Sequence, residues 1–335
     1  MFGSPLLATN MNKNSQQLKT PIAFIIFNRP DTTQEVFNKI KKIKPEQLFV
    51  IADGARNNEE WQECNKTRDI INQVNWNCKV HKNYSNKNLG CKVRVSSGLD
   101  WFFQNVEEGI ILEDDCVPHQ NFFQYCEDLL EKYRDNEKIM QISGQNLQFG
   151  KKRGNADYYF SIFNHIWGWA TWRRAWQYYD VEMKTFPEFK EKMEIKKIFD
   201  KKRFQKYWNK VFQKTYSGKI DTWDYQWTYT CWLKNGLTCL PNVNLVTNIG
   251  FDERGTHTKN KESRHANIEA KKIHFPLKHP QIIKTNKKAD NYTNRHVYKT
   301  RRSFSVFSGY LIRLILNKIG LFNIAKATYL KLKNR

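Results

Sequence analysis

No stretch of about 18 consecutive apolar residues occurs in this chain, which excludes a bilayer-spanning helix. There is no CxxC pair either. The seven cysteines, Cys64, Cys78, Cys91, Cys116, Cys126, Cys231 and Cys239, are odd in number and scattered, which argues against a disulfide frame or zinc knuckle and for reduced thiols. The first residues, MFGSPLLATNMNKNSQQLKT, lack the basic start and full apolar stretch of a signal peptide. These absences together lead us to expect a cytoplasmic protein. Acids are scarce toward the C-terminus. From Thr256 to Arg335 there are 19 Lys and Arg against Glu262, Glu269 and Asp290, so most of the formal net charge of +23 belongs to the last quarter. Such charge suits nucleic acid, anionic lipid or a phosphorylated substrate, and alone it does not choose among them.

What is there is a chain of 335 residues, 40% of them hydrophobic, long enough to bury a sizeable core as one large domain or two. PIAFIIF (Pro21 to Phe27) is a short apolar run bounded by proline and by Asn28-Arg29-Pro30, which predicts a buried strand. Asp31 is expected to cap a helix running to Ile43. QLFVIAD (Gln47 to Asp53) predicts a second strand broken by Gly54, and Asn58 to Val74 has helical spacing. CKVHKNY is a weaker third strand, Asn88-Leu89-Gly90 opens a helix over Val93 to Val106, and GIILE is a fourth strand. Strands alternating with helices at this spacing predict an α/β fold, a mostly parallel sheet covered on both faces. Ligands of such sheets bind beyond the carboxyl ends of the strands, where Asp53 and the run Glu113-Asp114-Asp115 both fall.

That acidic run is readable either as a solvated turn or as a rim-of-core cluster, and in the second case three adjacent carboxylates repel one another and need a positive partner. Carboxylates are hard oxygen ligands suited to Mg²⁺ or Mn²⁺, which keep open positions for water and phosphates. A divalent ion across two phosphates also stabilises a departing diphosphate. After Ser143-Gly144-Gln145 aromatic density rises, through DYYFSIFNHIWGWATWRRAW and DTWDYQWTYTCWLKNG, and Trp bodies are expected in a second packed layer. Lys184 to Lys214 is charged and reads as a solvated helical outer face.

The order FNRP, ADG, NLG, a strand ending EDD, a Trp-Gly-Trp turn, WDYQW and GTHT, spanning Pro21 to Thr258, resembles the GT-A glycosyltransferases. The similarity is to bacterial family-2-like enzymes and, more distantly, to the N-acetylglucosaminyltransferase I type. It implies a GT-A (Rossmann-like) sheet divided into a flexible segment (1–19), a nucleotide-sugar-binding half (20–148), an acceptor-binding and catalytic half (149–260) and a basic helical extension (261–335). It further implies that Asp115 binds the metal, with His257 completing the metal or diphosphate site. Asp114 would sit near the ribose or metal waters, Glu113 would orient the donor, Asp53 would contact base or ribose, and Asn28 and Arg29 would line the nucleotide cleft. Arg29 is equally readable as a surface residue. Lys92 and Arg94 would approach the diphosphate or stand as solvated helix charges. Gly168 and Trp169 resemble the loop that shapes the donor-sugar and acceptor pocket, with Trp169 equally readable as core. Sugar transfer by direct displacement needs a carboxylate to take the acceptor proton. Asp224 matches the family's base, and Asp221 is expected as the cap of the helix that follows.

These implications make the chain an inverting, Mn²⁺- or Mg²⁺-dependent enzyme. It would transfer sugar from a nucleotide donor, of the UDP-sugar class, to a glycan or lipid-linked glycan of bacterial surface polysaccharide. Two other classes compete. A sugar nucleotidyltransferase would share the sheet and acids but show a glycine-rich phosphate loop near its first strand, and PIAFIIFNRP has none. A nucleic-acid-binding protein would interleave basic and aromatic residues, and here they lie in separate segments, so no nucleic-acid partner is expected. From Arg301 onward there are eight cations and no acid, with Leu311, Ile312, Ile315, Ile319, Phe322 and Leu330 at helical spacing. The stripe either lies on anionic lipid at the inner face of the cytoplasmic membrane or packs on the catalytic domain.

Overall fold

A computed structural model describes residues 17–255 and 260–300. The expected alternation opens the chain: β1 (Ile22–Ile26), α1 (Pro30–Ile43), β2 (Gln47–Ala52), α2 (Glu60–Asp69), β3 (Lys79–Tyr84), α3 (Gly90–Asn105) and β4 (Glu108–Glu113). There follow β5 (Cys116–Pro118), α4 (Asn121–Lys132), β6 (Ile139–Ser143), β7 (Tyr158–Ser161), β8 (Trp169–Trp172) and α5 (Arg173–Trp176). The rest comprises α6 (Phe186–Glu191), α7 (Ile195–Ile198), α8 (Lys202–Tyr216), α9 (Asp224–Leu233), β9 (Leu237–Pro241), β10 (Val246–Asn248) and α10 (Lys287–His296). Among the described residues the first compact unit runs through Thr293, and residues 294–300 fall outside it. His257 and the tail from Arg301 lie outside the described residues. Among the described residues no helix is long and apolar enough to cross a membrane.

One sheet of eight strands, in the order β3-β2-β1-β4-β8-β6-β9-β7, carries the fold. Its first four strands are parallel, as the alternation requires. Beyond β4 it becomes mixed, with β8 antiparallel to both β4 and β6. In this half β7 and β8 come from DYYFSIFNHIWGWATWRRAW, which reads as strand, turn and helix of a second layer, while β6 and β9 lie outside the two aromatic segments. β5 and β10 form a separate antiparallel pair in which Asn248 faces Cys116.

Side-chain alternation decides what each face covers. Ile22, Phe24 and Ile26 of β1, Leu48 and Val50 of β2, and Ile110 and Leu112 of β4 pack with Val36, Phe37 and Ile40 of α1 and Phe122 and Leu129 of α4. Each of these fully buried side chains contributes about 1.5–3 kcal/mol relative to exposure. The alternate residues, Phe49 and Ile51 among them, face α3, where Phe49 meets Phe102 edge to face at 5.1 Å. Ile111 belongs to this second set, and it registers with Trp169 of β8. Trp169 stacks on Trp223 at 5.7 Å and lies 5.9 Å from Trp227, so α9 sits over the same face as α3. Glu113, two residues beyond Ile111, is directed by the same alternation toward that face.

Three local expectations change. Asp31 does not cap α1: Arg29 holds the N-cap position with no side-chain cap, and Asp31 accepts a paired contact from Arg254 at 2.8 and 2.9 Å. The helix expected over Asn58 to Val74 is α2 followed by a 3-10 turn, Ile70–Gln73. Lys184 to Lys214 is three helices rather than a solvated face, because Phe186, Phe189, Phe204, Trp208 and Phe212 are buried at helical spacing among its lysines. The sheet's edges differ too. β3 pairs only with β2 and keeps Lys79 and Lys82 exposed, whereas β7 is covered by Thr285, whose neighbour Asn286 donates to Phe160 O at 2.8 Å.

Two outcomes follow from this packing. A methyl at Gly98 of α3 would overlap Ile51 Cγ2 and lie 3.1 Å from Cδ1. Gly98→Ala should therefore lower stability by about 1–3 kcal/mol through overpacking, although alanine is the better helix former by about 1 kcal/mol. A thermal melt showing stabilisation would mean that α3 is not seated on β2 as described. Burial also raises the Asp290 carboxyl to about 7, despite the Ser161 hydroxyl that donates to it at 2.6 Å. A carboxyl raised on folding favours the native state below its unfolded value and loses that contribution as pH climbs to the folded one. Asp290→Asn should thus unfold at higher urea than wild type at pH 8, with the difference shrinking at pH 5.

Candidate functional site

The carboxyl ends of the parallel strands open on a cavity of about 290 Å³. Phe27, Asn28 and Arg29 follow β1, Asp53 follows β2, Gly90 and Cys91 start α3, and Glu113 and Asp114 end β4; all line it. Arg56, Asn88, Arg94, Asp221 and Arg254 complete the polar wall. The sequence reading had singled out Asn28, Arg29, Asp53, Arg94, Glu113 and Asp114, and the fold brings these six together.

The positive partner demanded by the acids is Arg29. Its Nη2 donates to Asp114 Oδ1 and, at 3.0 Å, to Asp115 Oδ2. Asp114 and Asp115 are only 4% and 8% exposed, so the contact is shielded from water. Burial works against the charge on Arg29, yet the two carboxylates hold its guanidinium above the ordinary value. The same contact does not bring Asp114 below its ordinary value. Loss of water around adjacent acids outweighs one guanidinium, and Asp114 rises to about 6. Glu113 rises further, through burial first and then through Asp115 and Asp114, with Asp224 adding to the effect. Its Oε1 is buried without a hydrogen-bond partner.

Asp115 sits in a socket made by the β5–β10 pair. Asn248 Nδ2 donates to its Oδ1 at 3.2 Å and the Cys116 thiol donates to the same oxygen at 3.3 Å. Ile249 N donates to its carbonyl at 2.9 Å. Gly250 leaves the space: a Cβ there would overlap Asp115 Oδ2 and stand 2.9 Å from Arg29 Nη1.

Asp53 is held differently from the base or ribose contact that the resemblance implies. Its Oδ1 accepts from Gly54 N and Leu89 N at 2.9 Å, and its Oδ2 from Gly90 N at 3.0 Å and Asn88 Nδ2 at 3.2 Å. Both oxygens are engaged by the loop that starts α3. Burial nonetheless keeps its carboxyl above the ordinary value, and the backbone donors only offset part of the effect. Arg94 donates to Asn83 O and Oδ1 at 2.7 and 2.8 Å, and Asn28 to Glu60 at 2.7 Å. Lys92 turns to Glu182 at 3.2 Å and does not line the cavity.

Asp224 opens α9, where the helix N-terminus favours a carboxylate. The Thr222 hydroxyl donates to its Oδ1. Its charge reaches Glu113 and Cys91, whose thiol is raised chiefly by burial. The expected capping role of Asp221 is corrected: Trp223 holds the N-cap position without a side-chain cap, and Asp221 is exposed on the cavity wall. Trp169 is fully buried in the aromatic layer, and Gly168 before it has φ of 67° and abuts Val246. Neither lines the cavity. Arg56, Asn88 and Arg254 were not singled out from sequence, although Asn88 stands in the NLG motif and Arg254 in GFDERGTHT.

The acids suit a hard divalent cation by chemistry, and the orphaned Glu113 Oε1 marks unmet hydrogen-bonding or ligating capacity. As arranged, the two aspartates face Arg29, and among the described residues no group of three or more His, Cys, Asp or Glu is assembled to hold a metal.

No protein-family model matches the chain, and no curated protein matches it in sequence. Among solved structures it is similar to 4-diphosphocytidyl-2C-methyl-D-erythritol synthase from Anaerococcus prevotii, at 8% identity and TM-score 0.30 over 51% of this chain and 76% of that one. HddC from Yersinia pseudotuberculosis matches at 8% identity and TM-score 0.29, over 46% and 77%. A UDP-glucose pyrophosphorylase complexed with UDP-glucose matches at 10% identity and TM-score 0.26, over 44% and 63%.

The Asp53 clamp has a measurable consequence. Asp53→Ala strands buried backbone donors and should cost about 1–3 kcal/mol, with hydrogen exchange quickening at Leu89 and Gly90. Unchanged protection there would show that the loop is held by other contacts.

Proposed function

We propose that the chain is an inverting glycosyltransferase that takes a sugar from a nucleoside-diphosphate donor, of the UDP-sugar class, to a glycan or lipid-linked glycan acceptor. The observation that carries this reading is that Asp224 opens α9 over the same face of the sheet toward which Glu113 is directed at the strand-end cavity. Glu113 lines the cavity with a buried, orphaned oxygen, and Asp224 is a carboxylate at a helix start whose charge adds the smallest part to the rise of Glu113. Asp224, oriented by Thr222, takes the proton of the acceptor hydroxyl as that oxygen attacks the anomeric carbon. Glu113, whose carboxyl is pushed well above its ordinary value by burial and by its acidic neighbours, faces the cavity with the oxygen that would meet a hydroxyl of the donor sugar. Arg94, whose partners on Asn83 are neutral, supplies positive charge to the wall for a diphosphate, while Arg56 and Arg254 stand there paired with Glu60 and with Asp31 and Asp252. Asp115 with Asp114 would hold Mn²⁺ or Mg²⁺, which when bound neutralises charge on the departing diphosphate. His257 belongs to this proposal by its place in GTHT alone, and an anionic membrane surface remains the proposed partner of the tail from Arg301.

A second reading, sugar nucleotidyl transfer, is closer to the names of the similar structures, one a synthase of a diphosphocytidyl compound and one a pyrophosphorylase. Against it, the turn from β1 into α1 runs Phe27-Asn28-Arg29-Pro30 without a glycine, so no flexible backbone cradle for phosphates stands there.

One set of assays separates the readings. The protein should slowly hydrolyse its own nucleotide-sugar when Mn²⁺ is supplied, and it should form no nucleotide-sugar from a nucleoside triphosphate and a sugar 1-phosphate. Asp224→Asn should keep donor affinity and lose about 10²–10⁴-fold in transfer, whereas Asp221→Asn should cost little. NMR of the product should find the anomeric configuration opposite to the donor's. Retention would overturn the role of Asp224, and synthesis of nucleotide-sugar would replace the reading with the second one.

A further inference from the structure

The Arg29 pair is more than a passive neutraliser. One guanidinium serves three adjacent acids, and it contacts only two of them, leaving Glu113 Oε1 buried and orphaned. A single positive charge therefore does not balance this strand end. The pair is nonetheless built for: Asn248 fixes the far oxygen of Asp115, and the missing side chain at Gly250 provides the space in which Asp115 Oδ2 and Arg29 Nη1 lie. Arg29 also lies in the wall of the cavity that a diphosphate would enter. Turning its side chain would carry the guanidinium from the aspartates toward that ligand.

We propose that Arg29 is an exchangeable counter-cation: it holds the aspartates when the site is empty, a divalent cation displaces it, and the freed guanidinium becomes a donor to the diphosphate. This inference rests on the reading above that the cavity takes a nucleoside diphosphate and a metal. The exchange makes the two ligands mutually dependent. A cation binding alone must strand a buried guanidinium, which costs stability, and a diphosphate binding alone must draw Arg29 from acids that would then repel it. Each ligand removes the other's cost, and the coupling is reciprocal. Arg29 is thus a positioning residue for the metal and a binding residue for the donor.

The test is Mn²⁺ binding to nucleotide-free protein, followed by the electron paramagnetic resonance signal of the free aquo ion, in wild type, Arg29→Gln and Arg29→Lys. Removing the competing charge should tighten Mn²⁺ binding in Arg29→Gln by about tenfold or more, the lower end of the coupling found between close charge pairs. Arg29→Lys should fall between, and it gives the measurement if the glutamine variant does not fold. UDP affinity in the presence of Mn²⁺ should fall in both variants. Mn²⁺ affinity equal to or weaker than wild type in the variants overturns the exchange and leaves the proposed function standing. Absence of Mn²⁺ binding in all three proteins, with UDP present as well, overturns both the exchange and the metal in the proposed function.

Discussion

Burial of two adjacent aspartates against one arginine is the contact around which the rest of the cleft is arranged. Buried charges are tolerated only when paired and hydrogen-bonded, and removing one partner typically costs about 3–5 kcal/mol. The pairing draws on three separate pieces of chain. Arg29 comes from the end of β1, the acids from the end of β4, Asn248 from β10, and the space from Gly250. Parallel pairing of β1 with β4, Ile25 against Glu113, brings the first two together. The β5–β10 pair brings the others, about 130 residues later in sequence. The site is thus specified by long-range pairing rather than by any one motif.

The first half of the fold was legible in the sequence because local pattern suffices there: apolar runs of strand length, broken by Gly54 or Pro30 and separated by helical spacing. The expected α/β sheet covered by helices is what forms. The mixed half was less legible, because β6, β7, β8 and β9 are strands whose order in the sheet depends on contacts far apart in the chain, each only four or five residues long. Lys184 to Lys214 misled for a related reason. Lysine dominates its composition, yet a stripe of phenylalanine and tryptophan decides its packing. In the site, residue type marked the acids, Arg29 and Asp224, but not how they are held. That Asp53 binds the start of α3, or that Asp221 does not cap α9, is set by backbone donors and helix starts that no side-chain pattern displays.

The aromatic layer gives Asp224 a rigid mount. Trp227, one turn on in α9, donates to Gln141 of β6 at 2.6 Å, and Tyr179 donates to Trp223 O at 3.1 Å. Trp169, Trp176, Trp223 and Trp227 fill the space between β8 and α9 with ring contacts of 5.2–6.2 Å. Trp169 therefore acts on the site from beneath: it fixes the height of α9 above the sheet, and with it the position of the carboxylate at the helix start. Rings with two torsions each give up little freedom when packed, which keeps the start of α9 rigid.

The unlike treatment of the sheet's two borders bears on how copies of this protein behave when crowded together. An open border strand offers a row of unpaired amides and carbonyls to any neighbouring chain. At β7 that row meets Thr285 and Asn286 from the same molecule. At β3 no further strand pairs among the described residues, but Lys79 and Lys82 stand exposed along it, and bringing two such strands together would set ammonium groups against one another. Strand-by-strand growth of this sheet, eight strands among the described residues, from one molecule into the next is therefore opposed at both ends, by a local cover at one and by charge repulsion at the other.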